Sequence, residues 1–65
     1  MDNQDFQKWM LRTRIGIEEL SRITGLAPQK IRQYLKGQRK IDSILENRLK
    51  GIENAKKEIE FFFKN

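Results

Sequence analysis

Gln29, Arg32, Gln33 and Lys36 stand at positions i, i+3, i+4 and i+7 of one short stretch, the spacing that lines side chains along a single face of an α-helix. Two amides and a guanidinium in such a row match the hydrogen-bonding edges of base pairs in a DNA major groove, Arg toward guanine and Gln toward adenine. The opposite face of the stretch is apolar, with Ile31, Tyr34 and Leu35 at i, i+3 and i+4. One helix is thus expected to give one face to a core and the other to a polar partner. Pro28 suits its first turn, where the missing N–H would find no partner anyway, and Gly37 suits its end.

Other chemistries are poorly provided for. The chain holds no Cys and no His, which excludes disulfides, the usual zinc ligands and Ser-His or Cys-His nucleophiles. Glu18 and Glu19 are adjacent. Neighbours on a helix do not face each other, so they read as charges at a helix N-terminus rather than as an acid–base pair. No enzymatic activity, cofactor, metal or small-molecule ligand is expected. The apolar runs are too short to span a bilayer, and the acidic, polar first ten residues do not resemble a signal peptide. A cytoplasmic protein with no membrane partner follows from that reading.

The distribution of charge is more informative than its total of +5. Residues 1 to 19 hold three bases and four acids, and residues 42 to 65 hold five of each. The stretch between, 20 to 41, holds Arg22, Lys30, Arg32, Lys36, Arg39 and Lys40 with no acid at all. Such a surplus is either the footprint of a polyanion-binding surface or a solvated basic face.

The elements that must position these residues are all helical. Asn3 or Asp2 can cap a first helix running to about Thr13, with Phe6, Trp9 and Met10 on one side. Gly16 breaks it. A second, short helix spans Ile17 to Thr24, with acids in its first turn and Gly25 just beyond its end. The third runs from Pro28 to Gly37. Asp42 or Ser43 can cap a fourth, on which Ile41, Ile44, Leu45, Leu49 and Ile52 continue an apolar stripe. Gly51 leaves open whether that last segment is one helix or two. The fold class is therefore all-α: a single domain over residues 1–65, four or five helices, with a central helix-turn-helix at about 17–36 and a C-terminal helical extension at about 42–63.

The segment "IEELSRITGLAPQKIRQYLKGQRK", residues 17 to 40, resembles the helix-turn-helix of the Cro and phage-repressor type. Leu20, Ser21, Gly25, Ile31 and Tyr34 meet that family's pattern of a buried Leu, a small residue, a turn glycine, a buried aliphatic and a further large apolar residue. Two departures stand out: Ile17 replaces the polar residue that opens the second helix in several members, and Ser21 stands where Ala is commonest. The resemblance implies a transcriptional regulator of phages or mobile elements, more specifically a repressor, that binds double-stranded DNA. Carried over, its base-reading positions are Pro28, Gln29, Arg32 and Gln33. Lys30, Lys36, Arg39, Lys40, Arg14 and Arg22 would meet phosphates, which fix register without reading sequence. An excisionase-like or architectural DNA binder, or an antirepressor-like protein-interaction module, would share the same fold.

The C-terminal segment carries more apolar residues than so small a domain needs for closure. Three adjacent phenylalanines, Phe61 to Phe63, span more than one helical face. A homodimer is expected, with Leu49, Ile52, Ile59, Phe62 and Phe63 at its interface, setting two recognition helices about one DNA turn apart. The alternative is that Phe61 to Phe63 fold back onto Phe6 and Trp9 within one chain.

Overall fold

Four helices make up the computed structural model, which describes residues 1–62: α1 (Asn3–Thr13), α2 (Ile17–Thr24), α3 (Pro28–Leu35) and α4 (Ser43–Phe62). Each boundary has a local cause. Asp2 caps α1, its Oδ1 accepting the N–H of Asp5 at 2.7 Å, and Asp42 caps α4 in the same way through the N–H of Leu45 at 2.8 Å. Both bonds satisfy a first-turn donor that has no partner inside the helix. Gly25 ends α2 in the left-handed region, φ 77°, with its N–H donating to the carbonyl of Ser21. Gly37, also at φ 77°, ends α3. There the N–H groups of Gly37 and Gln38 donate to the carbonyls of Tyr34 and Gln33, the paired bonds of a Schellman turn.

Gly51 does not break α4, which passes through it as one helix of 20 residues, about 30 Å long. The first half of that helix lies in the core and the second half leaves it. Phe6, Trp9, Ile15, Leu20, Ile31, Tyr34, Leu45 and Leu49 form the buried cluster, with Met10, Leu26, Leu35 and Ile52 packed partly against it. Phe6 joins α1 to α3 through an edge-on contact with the Tyr34 ring, centroids 6.4 Å apart. Beyond Ile52 the apolar residues find nothing to cover them: Ile59 is 59%, Phe61 79% and Phe62 77% exposed. The projecting helix stretches the chain to 41 Å by 20 Å by 19 Å. Its radius of gyration, 12.1 Å, exceeds the roughly 11 Å of a compact chain this long.

One expectation and one alternative need correction at this point. Leu49, assigned to a dimer interface, is fully buried within its own chain, because it faces the cluster built by α1, α2 and α3; Ile52 is half-covered by that same core. The fold-back of Phe61 and Phe62 onto Phe6 and Trp9 does not occur, since α4 stays helical through Gly51 and both side chains are left exposed. Phe63 lies outside the described residues.

Candidate nucleic-acid interface

Two short helices and the turn between them are held by hydroxyl groups. Ser21 Oγ donates to the Leu26 carbonyl at 2.6 Å, and Thr24 Oγ1 donates to the Leu20 carbonyl at 2.7 Å while accepting the N–H of Leu26 at 3.2 Å. The glycine at 25 lets the chain reverse, and these bonds absorb the polar groups left by the reversal. Ser21 is thus more than a small residue in place of Ala, because an alanine there would leave the Leu26 carbonyl without this donor. Leu20 and Ile31, both buried, seat α2 and α3 on the same core.

The rest of the molecule fixes the pair from behind. Arg48 of α4 reaches across to donate to the Thr24 carbonyl at 2.9 Å, a cation placed on the negative end of α2. Gln7 of α1 donates to the Leu35 carbonyl at 2.8 Å, completing the end of α3. Sequence reasoning missed both. Their partners lie 24 and 28 residues away, and local periodicity carries no signal for such contacts.

On the outer side, Pro28, Gln29, Arg32 and Lys36 are exposed and Gln33 is half-buried, while Ile31 and Tyr34 point inward. The expected two-faced character of α3 is therefore present in the structure. Ala27 gives α3 no side-chain cap. Arg22 is exposed on α2 and Lys30 is half-buried at the start of α3. Arg39 and Lys40 follow the Schellman turn and line a cleft with Met1, Asp2, Asn3, Gly37 and Ile41. Arg14 is not brought to this group. It ends α1 at φ 59° and lines a separate cleft of about 430 Å³ with Arg12, Thr13, Glu53, Lys56, Lys57 and Glu60.

Electrostatics divides the surface the same way. Among the described residues two ion pairs form, Met1 ammonium with Glu46 at 2.7 Å and Arg12 with Glu53 at 2.8 Å, and both lie outside residues 20 to 41. Each carboxyl is held below the usual carboxylate range, chiefly by the hydrogen bond it accepts from its cationic partner. Lys56 donates to the Thr13 carbonyl. None of the six bases between residues 20 and 41 forms an ion pair with an acid among the described residues. Comparison with protein families, with curated proteins and with solved structures found no match to this chain.

Proposed function

We propose that this protein is a sequence-specific binder of double-stranded DNA that regulates transcription, acting as a repressor and as a homodimer. One observation carries the reading: an uncapped, acid-free helix whose outer face holds Gln29, Arg32 and Gln33 is seated on a second short helix through a glycine turn. That arrangement fits a major groove, with α3 inserted and α2 lying across the backbone. Arg32 and the two glutamines hydrogen-bond base edges, and Pro28 packs against a sugar or a thymine methyl. Arg22, Lys30, Lys36, Arg39 and Lys40 meet phosphates, which positions α3 without reading sequence.

The dimer follows from the needs of such a reader and from α4. One recognition helix covers a half-site, and two must stand about 34 Å apart. Ile59 and Phe62, three residues apart on the projecting half of α4, offer an apolar strip that a second copy buries.

Selection from a random pool of duplexes tests the reading directly, followed by affinity measured against salt. A recovered palindrome is the expected result. The affinity should fall with a log–log slope of about −4 to −5 per protomer when five phosphates are neutralised. Protection in phased arrays would mark an architectural binder instead. A flat salt response would remove the DNA-binding reading and leave a protein-interaction module.

A further inference from the structure

Arg39, proposed above to meet a phosphate, is also tied to α3 through its Nε. Its Nε donates to Oε1 of Gln33 at 3.1 Å. The assignment of the amide atoms is fixed by chemistry, because a guanidinium only donates and so must face the carbonyl oxygen. The turn that brings the two together is built from the same residue: the N–H of Gln38 donates to the Gln33 carbonyl at 2.9 Å, and Gly37 at φ 77° supplies the reversal. The chain after α3 therefore folds back over Gln33 and holds it at both backbone and side chain.

We infer that Arg39 is a positioning residue that orients the Gln33 amide so that its NH2 end faces the base, selecting guanine where an unconstrained glutamine selects adenine. The inference rests on the proposal that α3 enters the major groove. A glutamine reads adenine by using both ends of its amide, Oε1 accepting from N6 and Nε2 donating to N7. The Arg39 bond takes one of the two lone pairs of Oε1 and holds that oxygen on the Arg39 side of the amide, which leaves the two N–H groups of Nε2 as the end for the base. Guanine presents two acceptors, N7 and O6, on that edge, while adenine presents one acceptor and a donor. The guanidinium charge beside the amide disfavours the adenine N6 donor further. Arg39 keeps its terminal N–H groups for a phosphate, so it joins backbone contact to base choice.

The test is selection from random duplexes at low salt, where weakened variants still bind, using the wild-type chain, Gln33→Ala, Arg39→Ala and Lys40→Ala. Gln33→Ala identifies the base pair that Gln33 reads, as the position at which preference is lost. At that position the wild type should prefer guanine, by roughly 5- to 150-fold over adenine. Arg39→Ala should reverse or erase that preference while other positions keep theirs, and should change nothing further at that position once Gln33 is Ala. Lys40→Ala should lower affinity for every sequence alike. Melting curves matching the wild type confirm that the substitutions leave the fold intact. An Arg39→Ala pattern identical to wild type, a wild-type preference for adenine, or a Gln33→Ala pattern with no lost position overturns the inference and leaves the DNA-binding reading standing. Failure of the wild type to bind any duplex removes both.

Discussion

The two halves of α4 share one helix and one apolar pattern but differ in what covers them. Leu45 and Leu49, in the first half, are buried in the cluster shared with residues of α1, α2 and α3, whereas Ile59, Phe61 and Phe62, in the second, are exposed. Beyond Ile52, which still touches the core, the contacts that tie the second half back among the described residues are polar: Arg12 with Glu53, and Lys56 with the Thr13 carbonyl. Apolar spacing along a helix therefore says which residues share a face. It does not say where the globule beneath that face ends. The first half stabilises the chain by itself, and the second is available to stabilise an assembly.

Large-to-small substitution separates the halves most strongly. Leu49→Ala removes a fully buried side chain and should cost about 2–5 kcal/mol in urea unfolding. Phe62→Ala, followed at concentrations low enough to keep the chain monomeric, should stay within about 0.5 kcal/mol of wild type. Equal losses at the two positions would mean that the distal half is buried in solution.

Association should show the reverse order. Replacing both Ile59 and Phe62 by Glu places charges on the strip proposed to meet a second copy, and light scattering should then report a monomer that remains folded. Its affinity for an operator with two half-sites should drop by about 10²-fold or more, because linking two readers supplies that much avidity. A double variant that stays dimeric would move the interface to another face.

This division also explains what was legible in the sequence. Asp2, Asp42, Gly25 and Gly37 act through bonds to residues within five positions of themselves, so the helices and the helix-turn-helix could be read from local spacing. Leu49 was misassigned for the converse reason. It lies on the stripe of Leu45, Ile52 and Ile59, and only the placement of α1 to α3 determines that the core ends between Ile52 and Ile59. The polar face of α3 was readable as a face, but the bond from Arg39 to Gln33 was not, because it depends on how sharply the chain reverses at Gly37. The contacts of Arg48 with Thr24 and of Gln7 with Leu35 depend on tertiary packing in the same way.

Gly51 sits at the junction of the two halves. It is helical, and a Cβ built there meets nothing within 4 Å. Gly51→Ala should therefore stabilise the fold by about 0.5–1 kcal/mol, since alanine loses less backbone freedom on entering a helix. Thermal unfolding measures it directly. A destabilised Gly51→Ala would indicate that α4 bends at this residue and that its halves move independently.

The smallest expected effects come from the ion pair in each half, and pH tells them apart. In the first half, Glu46 accepts a hydrogen bond from the Met1 ammonium, which raises the pKa of the amine above its ordinary value and lowers that of the carboxyl. A raised amine stabilises the fold below its ordinary pKa, about 8, and that contribution disappears as pH climbs through the raised value. A lowered carboxyl stabilises above its ordinary range and loses its contribution as pH falls. The Met1–Glu46 pair is therefore weakened at both ends of the scale. In the second half, Arg12 lowers Glu53 by the same kind of bond, but a guanidinium stays charged at any accessible alkaline pH, so the Arg12–Glu53 pair is weakened only by acid. Glu46→Gln should then flatten the stability profile on both its acid and its alkaline side, and Glu53→Gln on the acid side alone. Both effects should be smaller than that of Gly51→Ala and should shrink in salt, because ion pairs at a protein surface are screened. An alkaline change in Glu53→Gln, or none in Glu46→Gln, would show that the two ties are not distributed between the halves of α4 in this way.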